Sequence, residues 1–329
     1  MSNPPARKQP VRDLMTHLRQ KSHLLSLGGR SASNEHQVGL LPNKGSLRRN
    51  YHFVKRVLLP QIFSKRGGQT QRPDLAAPES HEFRVTWIGH ASYLVQTEGV
   101  NVLIDPVWAK WLGFVKRVRE PGLHIEELPP IHLVLISHAH FDHLHLGSLA
   151  RVAGGQPIIT PRGVGPLVAR RGFGEVVELD YWEKVMCGPL EITFTPSKHW
   201  GARMVHDVHR GFGGFLIRNS AGRTVFHCGD SAYFDGFQRI GDAADIDLAM
   251  MPIGAYESMS GREVHMNPEE AVAAFNDMKA KHMIPMHYGT FPLGGELMHE
   301  PLERLARITK SSGLIGRITV PGEGDPTLF

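Results

Sequence analysis

Residues 133–143 read Leu-Val-Leu-Ile-Ser-His-Ala-His-Phe-Asp-His, an apolar run followed directly by potential metal ligands. The apolar start predicts a short strand that is covered on both faces. The ligands do not follow helical spacing, so we interpret the segment as a loop that aims His138, His140, Asp142 and His143 at one point. Imidazoles and a carboxylate suit zinc, with Mn²⁺ or Fe²⁺ as alternatives. A histidine-rich surface loop would give no reason for this spacing.

Three further candidate ligands lie downstream, each close to the end of a predicted strand. A strand-like run precedes each of them: 190–195 before His199, 224–227 before Asp230 and 283–286 before His287. Any one of these residues alone is better explained by a structural role. Together they repeat one arrangement, in which stiff elements deliver side chains to a common edge.

The composition is that of a globular protein, with 41% hydrophobic and 21% charged residues among 329. Twenty histidines against six tyrosines favour a metal site, and two cysteines are too few for a disulfide framework. No apolar run is long enough to span a bilayer, and no hydrophobic segment follows the basic N-terminus. We therefore expect a cytoplasmic protein. The net charge of +5 leaves open peripheral contact with the inner membrane face.

The chain divides into two regions by its composition and hydrophobic patterning. Residues 1–80 form a basic extension rich in Pro, Arg, Lys, Ser and Gly, which we expect to be partly flexible, with an amphipathic patch over Tyr51–Lys65. From residue 81 to 329, strand-like runs alternate with helical stretches, the clearest of which opens at Asn267-Pro268-Glu269-Glu270. This interleaving predicts an α/β (α+β) sandwich with helices outside two sheets.

The seven candidate ligands resemble the hallmark of the metallo-β-lactamase superfamily, His-x-His-x-Asp-His followed by a later His, Asp and His. The resemblance implies a four-layered αββα sandwich that holds two Zn²⁺ ions. It assigns His138, His140 and His199 to one ion, and Asp142, His143 and His287 to the other. Asp230 is implied to bridge the two ions together with a water or hydroxide. Asp142 and Asp230 thereby become candidate catalytic residues.

Segments around the ligands resemble one branch, the phospholipases D that hydrolyse N-acyl-phosphatidylethanolamine, and their bacterial relatives. The resemblance covers residues 84–300 and rests on the following segments: Trp87-Ile88-Gly89-His90-Ala91-Ser92, Asp105-Pro106, Leu128-Pro129-Pro130, Pro196-Ser197-Lys198-His199-Trp200, Gly229-Asp230-Ser231, Pro252-Ile253-Gly254-Ala255-Tyr256-Glu257, His265-Met266-Asn267-Pro268-Glu269-Glu270-Ala271 and His287-Tyr288-Gly289-Thr290-Phe291. It implies hydrolysis of a phosphodiester to phosphatidic acid and an N-acylethanolamine. Two positions depart from the branch: Val264 stands where it has Gln, and Phe141 where it has Tyr.

Beside the ligands, a few residues are candidates for substrate contact. His265 is a candidate for phosphate binding or for assisting the leaving alkoxide, with a structural histidine as the alternative. Tyr256 and Val264 are its candidate partners in substrate binding. We expect His90 to orient a loop or a ligand rather than to bind metal, and Cys228 to be a small buried hydrophobe.

The segment 108–119 mixes two Trp and one Phe with four cations, which suits the headgroup region of a membrane. The alternative is a loop that packs its aromatic side chains inward. Other functions also remain open: a lactonase or phosphodiesterase acting on a small soluble substrate, or a non-catalytic metal-binding protein. We expect no nucleic-acid partner, because no basic stripe with interleaved aromatics is present. The sequence leaves the oligomeric state open.

Overall fold

The computed structural model describes residues 54–55, 59–63, 65–204, 207–258 and 261–329. The first half of the basic extension, where we expect the flexible part, lies outside these ranges. Of the amphipathic patch, the described part includes one short helix, α1 (Leu59–Phe63). None of the described helices combines the length and apolarity needed to cross a bilayer.

The described strands form two large sheets and one small hairpin. The first sheet has the order β15-β1-β2-β3-β6-β7-β8 and the second the order β14-β13-β12-β11-β10-β9. The strands of the first sheet are β1 (Arg84–Gly89), β2 (Ser92–Thr97), β3 (Val100–Ile104), β6 (Leu133–Leu135), β7 (Ile158–Pro161), β8 (Val176–Leu179) and β15 (Pro326–Leu328). Those of the second are β9 (Lys184–Cys187), β10 (Leu190–Thr195), β11 (Gly214–Arg218), β12 (Thr224–His227), β13 (Leu248–Pro252) and β14 (His282–Met286). The hairpin pairs β4 (Trp111–Leu112) with β5 (Val115–Lys116).

The inner core lies between the two sheets, because alternate residues of a strand point to opposite faces. Tyr93 and Val95 of β2 belong to the same buried cluster as Phe194 of β10 and Phe215 of β11. Leu94, between the two β2 residues, belongs instead to a second cluster on the outer face of the first sheet. The first sheet is therefore buried on both sides, which explains why β2, β3 and β6 are buried along their whole length.

Helices cover the outer face of each sheet. They are α2 (Leu146–Val152), α3 (Gly165–Val168), α4 (Gly236–Ala243), α5 (Pro268–Asp277) and α6 (Glu300–Ser311). Leu149 of α2 and Val168 of α3 pack on the first sheet, and Phe237 of α4 and Phe275 of α5 extend the core of the second. The predicted start of α5 is confirmed, because Asn267 caps the helix in a reciprocal capping box. The predicted sandwich with helices outside two sheets is also confirmed.

Strand direction determines where the functional residues meet. In the first sheet β1, β3 and β6 run parallel to one another, since β2 is antiparallel to both β1 and β3. In the second sheet β10, β12, β13 and β14 also share one direction. The carboxyl ends of these strands lead into the loops that carry the candidate ligands, so each sheet delivers its ligands to one edge.

Candidate metal centre

The first cluster brings together His138, His140 and His199, which come from the loops after β6 and β10. His140 Nδ1 lies 2.9 Å from His138 Nε2 and 3.2 Å from His199 Nε2. These separations are close to the ~3.3 Å edge of a tetrahedron around zinc with bonds of about 2.0–2.1 Å. The three ring nitrogens thus converge as ligands of one ion would.

Hydrogen bonds on the far side of two of these rings fix which nitrogen carries the proton. His199 Nδ1 lies 3.0 Å from the Val264 carbonyl oxygen, to which only an N–H can donate. His138 Nδ1 lies 2.9 Å from Ser137 Oγ, and that hydroxyl donates its own proton to Asp105. Both rings therefore keep the proton on Nδ1 when neutral. The lone pair of each Nε2 is left facing the cluster centre, as metal binding requires.

The second cluster consists of Asp142, His143 and His287, with His90 beside them. Asp142 Oδ2 lies 3.4 Å from His287 Nε2, 3.6 Å from His143 Nε2 and 2.9 Å from His90 Nε2. In this geometry His90 hydrogen-bonds to a candidate ligand, as expected of a residue that orients a ligand. The ligand atoms of these four residues lie close enough together that His90 also qualifies as a potential ligand.

Asp230 lies between the two clusters. Its Oδ2 is 3.0 Å from His287 Nε2 and 3.3 Å from His143 Nε2 on one side. On the other side it is 3.8 Å from the Nε2 atoms of both His138 and His199. The preceding Gly229 has φ +62°, and a Cβ there would lie 2.5 Å from the Gly213 carbonyl oxygen and 3.0 Å from Ser137 Cβ in the first sheet's ligand loop, so glycine is required at this close approach. A bridging position for Asp230 fits this placement.

Asp105 is not one of the candidate ligands, but its hydrogen bonds orient one histidine of each cluster. Its Oδ1 accepts a hydrogen bond from the Ser137 amide at 2.7 Å, and its Oδ2 accepts one from Ser137 Oγ at 2.5 Å. The same Oδ2 lies 2.7 Å from His143 Nδ1. Asp105 is fully buried. One carboxylate therefore orients His143 directly and His138 through the Ser137 hydroxyl.

Two histidines, His287 of the second cluster and its neighbour His90, adopt a left-handed backbone that is rare for residues with a side chain. His90 has φ +56° and His287 has φ +60°. The two are joined by a hydrogen bond from the His287 amide to the His90 carbonyl at 3.1 Å, and the His90 amide donates to Thr290 Oγ1 at 2.7 Å. Such conformations cost about 1–3 kcal/mol each and persist at functional sites where surrounding contacts impose them.

The two buried carboxylates of the site need positive charge beside them. Burial acts to raise the pKa of Asp230, yet the imidazoles of His143 and His287 hold it well below its usual range. Burial acts to lower the pKa of His287, but Asp230 and Asp142 raise it to about 9. Burial is the largest cause that lowers the pKa of His140 to about 4; His143 and His287 lower it further, against the opposing effect of Asp142 and Asp230. Two carboxylates facing ring lone pairs in a buried site are stable only with cations between them, supplied by protons or by metal ions.

The donor set fits two divalent ions. Among the described residues, several buried polar atoms of the site make no hydrogen bond: His140 Nε2, His143 Nε2, His287 Nε2 and Asp230 Oδ1. His143 Nε2 and His287 Nε2 both lie next to Asp230 Oδ2, at 3.3 Å and 3.0 Å. The seven ligands predicted from the sequence are all brought together, and that they bind metal stays a prediction.

The three candidate substrate residues lie in different surroundings. His265 is close to the clusters: its ring stacks on His287 and its Nδ1 lies 3.8 Å from Asp230 Oδ2, without a hydrogen bond to any described residue. Val264 is buried and contributes its carbonyl to His199. The Tyr256 hydroxyl donates to Glu300 Oε1 at 2.8 Å, on helix α6. Substrate contacts for all three remain predictions.

Reasoning from sequence assigned no role to several residues at the site, although Asp105 and Trp200 lie in segments that carry the resemblance. Asp105 follows an apolar strand, β3, as Asp230 follows β12, and that parallel could have identified it. Trp200 packs its ring edge on His140 with centroids 4.2 Å apart. Arg203 carries no sequence signal of its own. Its guanidinium lies 3.9 Å from the centre of the Phe141 ring.

Arg203 hydrogen-bonds to both ends of the loop that carries the candidate ligands after β6. Its Nη1 donates to the Ala139 carbonyl at 2.7 Å and to the Leu144 carbonyl at 2.8 Å, and these residues flank three of the candidate ligands. We expect Arg203→Ala to weaken zinc binding about tenfold, as is usual when groups that orient ligands are lost. Competition with a chromophoric chelator would measure this. Arg218→Ala, an exposed arginine on β11, is the control. Unchanged zinc affinity in the Arg203 variant would contradict the bracing role.

Comparisons with known proteins agree with this geometry. A family described as the β-lactamase superfamily domain matches residues 100–288. The N-acyl-phosphatidylethanolamine-hydrolysing phospholipase D 1 of Caenorhabditis elegans is 35% identical over 245 residues, 68% of this chain and 68% of that protein. A metal-dependent hydrolase of Pyrobaculum neutrophilum is 31% identical over 244 residues, 73% of this chain and 98% of its own length.

Among solved structures, the metallo-β-lactamase fold protein YhfI of Bacillus subtilis is similar, with a TM-score of 0.56. It is 18% identical in sequence, and the match covers 75% of this chain and 100% of that one. This likeness concerns the fold, and it confirms the predicted αββα sandwich of the metallo-β-lactamase type.

Proposed function

Since the chain belongs to the β-lactamase superfamily and is a metal-dependent hydrolase of that superfamily, we propose that it is a zinc-dependent phosphodiesterase of the phospholipase D type. The proposed reaction cleaves N-acyl-phosphatidylethanolamine to phosphatidic acid and an N-acylethanolamine. The observation that carries the proposal is the convergence of the seven candidate ligands in two clusters joined by Asp230. The likeness to the Caenorhabditis elegans phospholipase supplies the substrate class.

In this proposal His138, His140 and His199 hold one ion, Asp142, His143 and His287 hold the other, and Asp230 is shared. Bound there, two zinc ions would provide Lewis acidity for a phosphoryl group and lower the pKa of water towards neutrality. The chain's own contribution is to keep ring lone pairs aimed inward. Asp105 and the Val264 carbonyl do this by holding protons on the far nitrogens of His143 and His199.

His265 is the residue best placed to contact a phosphoryl oxygen. It is buried, one ring nitrogen has no partner among the described residues, and burial lowers its pKa to about 4. A neutral imidazole at physiological pH can donate one N–H to a phosphate oxygen without carrying charge itself. Asp230, 3.8 Å away, can accept a proton or orient an attacking water.

The test is product analysis with the zinc-loaded full chain. N-acyl-phosphatidylethanolamine in mixed micelles is incubated beside a small soluble phosphodiester and a lactone, and products are identified by mass spectrometry. We expect phosphatidic acid and N-acylethanolamine, formed by the wild type and absent with Asp230→Asn. Cleavage of a soluble substrate alone would overturn the lipid assignment. That result would favour the soluble-substrate hydrolase and give significance to Val264 and Phe141, the two positions that differ from the lipid-hydrolysing branch.

A further inference from the structure

Five large apolar side chains are exposed on two neighbouring elements, the β4–β5 hairpin and helix α1. On the β4–β5 hairpin, Trp111 is 43% exposed and Phe114, in its two-residue turn, is 72% exposed. On helix α1, Leu59, Ile62 and Phe63 are exposed, with Phe63 reaching 87%. A hydrogen bond of 3.0 Å from Lys116 Nζ to the Ile62 carbonyl joins the hairpin to the helix. We name these five residues the apolar ledge.

The ledge is unlike the scattered hydrophobes of an ordinary surface. A single exposed leucine needs no explanation, whereas a group of exposed aromatic side chains on adjoining elements marks an interaction surface. The sequence left open whether the aromatic residues of this segment pack inward. Trp108 does so, since its indole Nε1 donates to the Leu123 carbonyl at 2.8 Å. Trp111 and Phe114 do not.

Lysines lie beside the ledge on the segments that carry it. Lys65 and Lys110 are exposed, and Lys116 lies 5.8 Å from the Trp111 ring centre. Neither the described residues of 54–73 nor those of 106–119 include an Asp or Glu. Exposed aromatic side chains among lysines are typical of surfaces that enter the headgroup layer of an anionic membrane. Protein interfaces, by contrast, are depleted in lysine.

The ledge is connected to the candidate metal centre through packed side chains. Leu112 and Val115 of the hairpin pack with Phe291 in one small cluster. The Phe291 ring in turn contacts His90, with centroids 5.3 Å apart, and His90 bonds to Asp142. Arg117, fully buried, anchors the base of the hairpin by donating to the Val107 carbonyl at 3.0 Å. One chain of contacts, through Phe291 and His90, therefore links the hairpin to the second cluster.

We propose that the apolar ledge inserts into the surface of an anionic phospholipid bilayer and holds the site close to it. The choice of a bilayer as partner rests on the proposed function, because a phospholipid hydrolase must meet its substrate at a membrane. The insertion itself is a property of the surface and can be measured without turnover.

The test is cosedimentation of the zinc-loaded full chain with vesicles. Vesicles of phosphatidylcholine with phosphatidylglycerol are compared with vesicles of phosphatidylcholine alone, neither containing N-acyl-phosphatidylethanolamine. We expect binding to the anionic vesicles, weakened about tenfold by Trp111→Ser with Phe114→Ser. Lys65→Glu with Lys110→Glu should weaken it to a similar degree, about tenfold, and more so at low salt. Ile315→Ser with Val320→Ser, two exposed apolar residues outside the ledge, is the matched control.

Each outcome bears on one proposal at a time. Unchanged vesicle binding in the Trp111 and Phe114 variant, with an unchanged melting temperature, would overturn docking by the ledge. So would failure of the wild type to bind either vesicle. Light scattering that detects a dimer lost in this variant would assign the ledge to a second copy instead. Vesicle binding without hydrolysis of N-acyl-phosphatidylethanolamine would leave the docking intact and overturn the proposed function.

Discussion

Replacing Asp230 with asparagine is expected to abolish hydrolysis and to lower the zinc content from about two ions per chain to one or fewer. The Oδ2 atom of Asp230 lies within 3.8 Å of ring nitrogens from both clusters. An amide of the same shape keeps the packing but removes the negative charge that faces these nitrogens. We expect kcat/KM to fall at least about 10³-fold, equivalent to about 4 kcal/mol of transition-state stabilisation.

Asp247→Asn is the matched control for this substitution. Asp247 is also a nearly buried aspartate of the second sheet, and it accepts hydrogen bonds from the Thr224 amide and from Lys281 Nζ, both at 2.8 Å. It belongs to none of the candidate metal clusters among the described residues. We expect this control to keep its zinc and its activity. Plasma emission spectroscopy measures the metal. An Asp230 variant with full zinc and near-normal rates would contradict the shared position of Asp230.

Much of the candidate site could be predicted because strand ends are visible in the sequence. An apolar run predicts a strand, and a polar residue within a few positions of its end is expected at an edge of the sheet. Applied to β6, β10, β12 and β14, this reasoning gave seven of the residues that the structure brings together, to which it adds His90 and His265. It needed no knowledge of strand order, because strands that share one direction in a sheet deliver their ends to the same edge.

The contacts that orient the ligands could not be predicted in this way. His199 bonds to the main-chain carbonyl of Val264, and a carbonyl has no signature in the sequence. The left-handed backbone at His90 and His287 is imposed by contacts between loops that are distant in the chain. Tyr256 is part of a motif that resembles a substrate site, yet its hydroxyl bonds to Glu300 on a helix that the motif does not include.

Elements with weak patterns were also missed. Strand β9 alternates exposed and half-buried residues before Cys187, since it is the edge of the second sheet and packs only in part. The exposure of Trp111 and Phe114 depends on a turn of two residues, which composition alone does not reveal. The expectation for Cys228 was confirmed: it is buried, and burial raises the pKa of its thiol.

Replacing Asp105 is the second substitution with a large expected effect on zinc binding and turnover, although Asp105 is not itself a candidate ligand. We expect Asp105→Asn to fold but to lose about 10–100-fold in zinc affinity, with a larger loss in kcat. The carboxylate accepts from His143 Nδ1 and from Ser137 Oγ through the same oxygen. An amide NH₂ in that place donates instead of accepting. His143 must then accept at Nδ1 and carry its proton on Nε2, the nitrogen that faces Asp142 and Asp230.

The change in which His143 nitrogen carries the proton can be measured, and a general loss of stability would not produce it. In ¹⁵N NMR spectra of the zinc-free protein at alkaline pH, the neutral His143 ring should change from the Nδ1–H to the Nε2–H tautomer in the variant. Asp105→Ala should differ: it leaves the Ser137 amide and the His143 N–H buried without an acceptor, at a cost of about 1–3 kcal/mol for each group. The Ala variant should therefore melt lower than the Asn variant. If Asp105→Asn keeps both the wild-type tautomer and the wild-type zinc affinity, then His143 is held by packing, and the hydrogen bond from Asp105 is dispensable.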